Sequence, residues 1–278
     1  MARLEKWQAA AHLPQRMVDE ARVLQIVREA GQIALAQWPG AGHALEVWEK
    51  SPGHPVCTAD LAIDAFLKRE LTGLSPEAAW LSEETADDAA RLQSDSVWMV
   101  DPIDGTRDFI RGRTGWAVSV ALVQGGQPVL GVLYAPARQE EWWAAAGRGA
   151  WRNGSQLSAS ARTELAGARV PSAGLSKADR LFTAVAQPNS IALRMGMVAA
   201  GEADLLATRR WGYEWDIAAA TLLAREAGAA TGDAFAKPLR FNKERPGAFG
   251  LLVSAPGIFA DAATHIEERA RKEAEAKA

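Results

Sequence analysis

The sequence predicts an α+β protein in which layers of helix and sheet are stacked. Apolar residues recur at helical spacing over residues 21–37, which predicts an amphipathic helix. Residues 116–123 and 128–134 are strand-like runs on either side of a Gln-Gly-Gly-Gln turn, which predicts an antiparallel hairpin. Beyond residue 190, helical and strand-like segments alternate. Together these observations favour mixed layers over an all-helical or all-strand fold.

The remaining elements follow from the same periodicities. Further helices are predicted at residues 61–71, 191–200 and 217–227, and further strands at residues 78–81, 97–100, 142–146, 150–151 and 203–207. A loop is predicted at residues 49–56, because two prolines and a glycine interrupt that segment. Asn153-Gly154 predicts another hairpin turn.

The length of 278 residues suits one large domain or two smaller ones that share an interface. A polar stretch at residues 155–167 is the candidate boundary. We therefore expect an N-terminal α+β subdomain over residues 1–155 and a C-terminal α/β subdomain over residues 156–262. Residues 263–278 are rich in Ala, Glu, Lys and Arg, which predicts a solvated terminal helix that frays.

The composition excludes several classes of protein. The net charge of −3 argues against binding nucleic acid polymers or a membrane surface by bulk electrostatics. No apolar run reaches the roughly 18–20 residues of a transmembrane helix, and residues 1–17 lack the apolar segment of a secretory signal. Cys57 is the single cysteine, so an intrachain disulfide and a Cys/His zinc cluster are both excluded. We expect a cytoplasmic protein that binds any metal through oxygen ligands.

The segment WMVDPIDGTRDF at residues 98–109 carries the most informative pattern. An apolar strand ends at Asp101, Pro102 has no N–H to continue the ladder, and Asp104 follows three residues after Asp101. A tight turn here would bring both carboxylates to one point, and Gly105 and Thr106 offer N–H groups to a phosphate oxygen. Taken alone, the pattern is also typical of turn residues that satisfy local N–H groups.

Other acidic residues also lie at the ends of predicted elements. Glu83 and Glu84 follow the strand at residues 78–81, and Asp60 and Asp216 each lie at the start of a predicted helix. Each position has an ordinary interpretation, as solvated surface for the glutamates and as a helix cap for the aspartates. Together, the acidic clusters suit a hard divalent cation such as Mg²⁺, which prefers oxygen ligands.

These segments resemble the inositol monophosphatase superfamily of lithium-sensitive, magnesium-dependent phosphatases. The matching segments are PVCTAD at 55–60, LSEET at 81–85, WMVDPIDGTRDF at 98–109 and WDIAAATLLAREAGA at 215–229. They occur in the order of the family and extend the resemblance over residues 24–254. The resemblance implies a layered α-β-α-β-α sandwich, two or three Mg²⁺ ions, hydrolysis of a small phosphate ester, and the homodimer that is usual in the family.

The resemblance also implies a set of metal ligands, which would lie mostly in the N-terminal subdomain. One Mg²⁺ would be held by Glu83, Asp101 and the main-chain carbonyl of Ile103. A second would be held by Asp104, Asp216 and the same Asp101, which would bridge the ions. Two ions in such an arrangement clamp a phosphate ester during in-line displacement and stabilise both the attacking and the leaving oxygen.

The catalytic residues implied by the resemblance are Asp60, Thr106 and Glu83. Thr106 and Asp60 would pair to orient the attacking water, so that no covalent phosphoenzyme is needed. Glu84 would shape the surroundings or help a third metal site. Lys50 corresponds to a basic residue in a loop of the family that closes over the site. Cys57 is most simply a small, nearly buried residue.

A further set of residues is predicted to contact the phosphate or the rest of the substrate: Gly105, Thr106, Ser190, Arg194, Arg209 and Asp216. The chain has Asn189 where the family usually carries a glycine before a Ser or Thr. Arg209 and Arg210 stand near the point where inositol monophosphatases carry an acidic residue that contacts the inositol hydroxyls. Because guanidinium groups bind phosphate in bidentate fashion, the basic pair favours a substrate with a second anionic group, unless it is an ordinary solvated pair.

Residues 80–110 as a whole resemble the bacterial 3′(2′),5′-bisphosphate nucleotidases most closely. The predicted function is therefore hydrolysis of adenosine 3′,5′-bisphosphate to AMP and phosphate. One alternative is a phosphatase of inositol-1-phosphate or of histidinol phosphate. Another is a non-catalytic scaffold that binds metal or phosphate on the same fold, against which the complete set of acidic residues argues.

Overall fold

The computed structural model describes residues 18–275. Residues 1–17, where the sequence predicts no secretory signal, and the last three residues of the predicted tail lie outside that range. Within it, the α-helices are α1 (Glu20–Leu35), α2 (Thr58–Leu74), α3 (Thr106–Ile110), α4 (Ile191–Ala199), α5 (Glu214–Glu226) and α6 (Phe259–Glu275). The helices predicted at residues 21–37, 61–71, 191–200 and 217–227 are confirmed as α1, α2, α4 and α5.

The largest sheet has seven strands in the order β3-β4-β5-β6-β7-β8-β9. They are β3 (Ala79–Ser82), β4 (Ser96–Asp104), β5 (Ala117–Gln124), β6 (Gln127–Ala135), β7 (Glu140–Ala145), β8 (Ala150–Arg152) and β9 (Ser155–Gln156). Strands β3 and β4 are parallel, and every later pair is antiparallel. The predicted hairpin at residues 116–134 is confirmed as β5 and β6, and the turn at Asn153-Gly154 joins β8 to β9.

Three smaller sheets complete the described strands. An N-terminal ribbon pairs β1 (Val47–Ser51) with β2 (His54–Cys57), and β10 (Arg169–Pro171) pairs with β11 (Thr183–Val185). The third sheet has the order β12-β14-β13, formed by β12 (Leu205–Tyr213), β13 (Ala230–Gly232) and β14 (Gly247–Ser254).

Alternation along the strands builds the layers, because successive side chains of a strand point to opposite faces of its sheet. In β4, Trp98 and Val100 pack with α1 and α2, whereas Val97 and Met99 belong to the core of α4 and α5.

The three-stranded sheet repeats this arrangement. Leu206 and Leu251 pack in the core of α4 and α5, and Leu205 and Leu252 pack with α6. The layers follow the order α1/α2, seven-stranded sheet, α4/α5, three-stranded sheet, α6. The predicted α-β-α-β-α sandwich is therefore confirmed.

Two local predictions differ from the structure. The loop predicted at residues 49–56 is an antiparallel ribbon in which Glu49 pairs with Pro55. A proline is tolerated there because β2 pairs on one side only, so its missing N–H breaks no second ladder. The start of the predicted solvated tail belongs to α6, and Ile266 is buried against the small sheet. Ile258, just before α6, and Ala262 and Ile266 within it recur every four residues and form one buried face, a pattern that the charged composition of the tail obscures.

The halves of the chain share one core, since α4 and α5 pack on the large sheet. The division between residues 155 and 156 stays a prediction. No helix of residues 18–275 is long and apolar enough to cross a bilayer.

Candidate active site

The end of strand β4 delivers Asp101 and Asp104 to one edge of the large sheet. The pairing with β5 shifts register between these two residues, as expected where Pro102 interrupts the ladder. The main-chain N–H of Ile103 donates to Asp101 Oδ1 at 3.0 Å, which fixes the carboxylate within the turn. Gly105 follows with φ +97°, and a Cβ at this position would lie 2.7 Å from the carbonyl oxygen of Gly115. Glycine is therefore required at the turn into α3.

Three carboxylates from distant parts of the chain meet beside this turn. Glu83, Asp101 and Asp216 each offer an oxygen, and the three oxygens lie within 4.8 Å of one another. Glu83 follows β3, Asp101 lies in β4 and Asp216 lies in the first turn of α5. We refer to Glu83, Asp101 and Asp216 as the acidic cluster.

The electrostatics of the acidic cluster fit a cation site. Burial raises the pKa of Asp101 well above its usual value, and the charges of Glu83, Asp104, Asp216 and Asp60 raise it further. Burial and the charge of Asp104 likewise raise the pKa of Asp216 well above its usual value. A bound cation would stabilise the ionised forms that these carboxylates resist. The oxygen-only donor set fits a hard divalent cation.

Asp104 lies beside the acidic cluster but is turned toward helix α4. Its Oδ2 accepts from the main-chain N–H of Ala192 at 2.7 Å and from the hydroxyl of Ser190, and its Oδ1 accepts from Ile191 N at 3.2 Å. Burial raises the pKa of Asp104 to about 6, although these hydrogen bonds oppose the shift. Its predicted role as a metal ligand therefore rests on the weakly bonded Oδ1.

Asp216 is held by the start of its own helix. Its Oδ2 accepts from the main-chain N–H of Tyr213 at 2.9 Å, as part of a capping box at the N-terminus of α5. Asp216 is therefore both a helix cap and a member of the acidic cluster.

Thr106 and Asp60, which the resemblance places together around the attacking water, each bond to a local partner. Thr106 Oγ1 donates to the carbonyl of Ile103 at 3.0 Å. Asp60 Oδ2 accepts from the main-chain N–H of Cys57 at 2.8 Å and from its thiol at 2.9 Å. Cys57 is the N-cap residue of α2, and both of its donors bond to this one oxygen of Asp60. Burial raises the pKa of Asp60 to about 6, which keeps this residue near the range useful for proton transfer.

Lys50 of the β1–β2 ribbon reaches the acidic side chains that follow β3. Its Nζ lies 3.3 Å from Glu83 Oε1 and also donates to Glu84 Oε1. Burial raises the pKa of Glu84 to about 7, against the opposing effect of the Lys50 ammonium. The predicted contact of the Lys50 segment with the site is present, and Glu84 lies where it can shape the surroundings of Glu83.

Among the residues predicted to contact the substrate, some bond to nearby protein atoms and some line a cavity. Ser190 is fully buried and caps α4, accepting from Leu193 N at 2.9 Å. Arg194 donates to the carbonyls of Pro188 and Asn189 at 2.7 and 2.9 Å, so it supports its own loop. Arg209 and Arg194 both line a cavity of about 1490 Å³ that reaches Asp216.

Asp64, which the sequence patterns did not single out, forms hydrogen bonds with the residues on either side of Glu83 and Glu84. Its carboxylate accepts from the hydroxyls of Ser82 and Thr85, the second at 2.6 Å, and so holds both ends of the segment that contains Glu83 and Glu84. Its position one helical turn after Asp60 on α2 was the available signal, since such residues share a helix face.

Comparison with known proteins identifies the class to which this fold and site belong. The model of the inositol monophosphatase family matches residues 16–276. The chain belongs to the inositol monophosphatase family, whose members are metal-dependent phosphomonoesterases. It is 32% identical over 236 residues to the 3′(2′),5′-bisphosphate nucleotidase CysQ of Escherichia coli O157:H7, covering 81% of this chain and 94% of the relative.

Two further proteins extend the comparison. The histidinol-phosphatase of Mycobacterium tuberculosis is 35% identical over 190 residues, or 63% of this chain and 72% of that protein. The IMPase structure of Thermotoga maritima superposes with a TM-score of 0.77 at 24% identity, covering 98% of this chain and 99% of that one. The structural match shows the shared fold.

Proposed function

We propose that this phosphatase hydrolyses a 3′(2′),5′-bisphosphate nucleotide, converting adenosine 3′,5′-bisphosphate to AMP and inorganic phosphate. The observation that carries the proposal is the 32% identity to a bisphosphate nucleotidase over 81% of the chain. The cavity supports it, because Arg194, Arg209 and Arg210 line the space that also reaches Asp216. A second phosphate would find guanidinium groups in a cavity that reaches Asp216, one member of the acidic cluster.

We further propose that the acidic cluster holds Mg²⁺, with Asp104 Oδ1 and the carbonyl of Ile103 completing the ligands of two ions. A third ion would lie near Glu84. When bound, Mg²⁺ polarises the phosphoryl group and supplies an activated water. The hydrogen bonds that Asp64 accepts from two hydroxyls, and the capping box of Asp216, keep ligand oxygens in place before substrate enters.

The other residues act on the substrate and on the water. The N–H groups of Gly105 and Thr106 donate to a phosphate oxygen at the turn into α3, while Ser190 holds Asp104 and α4 against that turn. Asp60, with its pKa near 6, is mostly ionised at neutral pH and accepts a proton from the attacking water at its free oxygen. Thr106 fixes the Ile103 carbonyl through its hydroxyl.

The setting of the reaction is also a proposal. Cys57 is free and buried, which suits a reducing compartment, and we place the enzyme in the cytoplasm. The substrate is a small phosphate ester, and the homodimer stays an expectation from the resemblance.

The substrate is tested by phosphate release with Mg²⁺ from adenosine 3′,5′-bisphosphate, inositol-1-phosphate and histidinol phosphate, each with and without Li⁺. We expect kcat/KM to be at least about tenfold higher for the bisphosphate, because a charge-assisted contact contributes about 1.5–3 kcal/mol. A preference for histidinol phosphate would instead support the activity named for the Mycobacterium relative. Release from none of the three would support the scaffold.

A further inference from the structure

Arg91 joins the segment that follows Glu83 to the second half of the chain. It lies in the 3-10 helix Ala89–Gln93 and is 2% exposed. Its guanidinium binds the carboxylate of Asp87 through Nε at 2.6 Å and Nη2 at 2.9 Å. On its other side, Nη1 donates to Asn242 Oδ1 at 2.7 Å and Nη2 donates to the carbonyl of Lys243 at 2.9 Å. One buried cation therefore ties residues far apart in sequence.

Glu214 ties the same loop to helix α5. It is 1% exposed and lies two residues before Asp216. Its Oε2 accepts from the main-chain N–H of Asn242 at 2.6 Å, and its Oε1 accepts from that of Lys243 at 3.3 Å. Its own main-chain N–H donates to the carbonyl of Pro246 at 2.9 Å. The first turn of α5 is thus fastened to the loop at residues 242–246.

Asn242 connects Arg91 to Glu214, and both its side-chain hydrogen bonds and its backbone conformation favour asparagine at this position. Its amide oxygen accepts from Arg91, and its Nδ2 donates to the carbonyl of Arg91 at 3.2 Å. Its φ of +60° lies in the left-handed region, which asparagine tolerates better than most residues. The contacts run without a gap from Arg91 through Asn242 to Glu214, and we call these three residues the brace.

We propose that the brace positions Glu83 and Asp216 for divalent cations, and that its members are positioning residues rather than ligands. Glu83 and Asp216 come from opposite halves of the chain, and their like charges oppose the close approach seen in the acidic cluster. Mg²⁺ requires ligand oxygens at about 2.0–2.1 Å in near-octahedral geometry, so loose segments would bind it poorly. Buried charged networks are costly and often add little stability, which favours a positioning role for this one.

The brace is tested by Mn²⁺ binding, measured by electron paramagnetic resonance of the free ion added to EDTA-treated, full-length chain. We compare the unmodified chain with Arg91→Lys, which keeps the charge but loses the planar fork, and with Asn242→Gly, which keeps the positive φ but loses the amide. Arg169→Lys is the matched control, because Arg169 holds the buried Asp204 at 2.7 Å and touches no member of the acidic cluster.

We expect Mn²⁺ affinity to fall about tenfold in both brace variants, the lower end of the loss seen when residues supporting metal ligands are changed. The control is expected to lose thermal stability and to keep its Mn²⁺ affinity. Unchanged affinity in the brace variants, or an equal loss in the control, would overturn the proposal.

The inference rests on the proposed function for the identity of its metal. The experiment distinguishes a failure of the brace from a failure of the proposed function. An unmodified chain that binds Mn²⁺ but releases no phosphate contradicts the proposed function, while the variants still decide on the brace. An unmodified chain that binds no Mn²⁺ contradicts both.

Discussion

The main-chain N–H of Ala192 donates to Asp104 Oδ2 at 2.7 Å, so a carboxylate from strand β4 caps helix α4. Ser190 adds its hydroxyl to the same oxygen. A negative charge at a helix N-terminus is stabilised by unpaired N–H groups and by the helix dipole. The residue that carries charge beside the acidic cluster therefore also joins the large sheet to the helical layer behind it.

Removing this cap should destabilise the fold as well as reduce activity. We expect Asp104→Ala to lower the free energy of unfolding by about 1–3 kcal/mol, because buried N–H groups of α4 and the Ser190 hydroxyl lose their acceptor. Urea denaturation monitored by circular dichroism measures the change. Asp95→Ala, at an exposed position outside the helices just before β4, is the control and should change little. Equal stability of the two variants would contradict the capping role.

Asp101→Asn should have the opposite effect on the chain without metal. Asparagine keeps the oxygen that accepts from Ile103, and it removes a buried charge that Glu83, Asp104, Asp216 and Asp60 all repel. We expect the melting temperature in EDTA to rise and Mg²⁺-dependent phosphate release to fall by at least about 100-fold. Scanning calorimetry and a phosphate assay measure the two effects. Nearly normal release by this variant would refute a central role for Asp101 in metal binding.

The thiol of Cys57 should tune the acid limb of the pH profile through Asp60. Burial raises the pKa of Asp60 to about 6, and the hydrogen bond from the thiol lowers it. Removing the donor disfavours the ionised carboxylate, so Cys57→Ala should raise that pKa and move the acid limb of kcat/KM to higher pH. Cys57→Ser keeps a donor and serves as the control. Identical acid limbs in all three proteins would show that Asp60 does not set this limb.

Arg209 should matter for the bisphosphate and not for a monophosphate. We expect Arg209→Gln to lower kcat/KM for adenosine 3′,5′-bisphosphate about tenfold and to leave the smaller activity on inositol-1-phosphate unchanged. The exposed Arg240 does not line the cavity, so Arg240→Gln is the matched control. An equal loss on both substrates would point to a structural role for Arg209.

The elements that the sequence predicted well have strong local patterns. The apolar runs of β4, β5 and β6 and the helical period of α1 are visible without any tertiary information. Strand β1 is exposed along its whole length, so no buried face imposes an alternating pattern on it, and the prolines and glycine of the ribbon are typical of a loop. The layer order was implied by the family resemblance rather than by any one element.

Within the site, the sequence predicted which acidic residues lie together, but it did not predict their hydrogen-bond partners. Glu83, Asp101 and Asp216 lie together as the resemblance implied. Asp60 bonds to Cys57, and Arg194 bonds to a carbonyl of its own loop. These choices depend on competition between nearby donors in the folded chain, which residue spacing does not encode.

The most direct test of the account is the metal dependence of phosphate release from adenosine 3′,5′-bisphosphate. The chain is stripped of divalent ions with EDTA, dialysed, and assayed before and after Mg²⁺ is returned. We expect negligible release without Mg²⁺, restored release with it, and a higher kcat/KM than for inositol-1-phosphate. Release that persists at full rate without divalent ions, or no release with Mg²⁺ present, would contradict it.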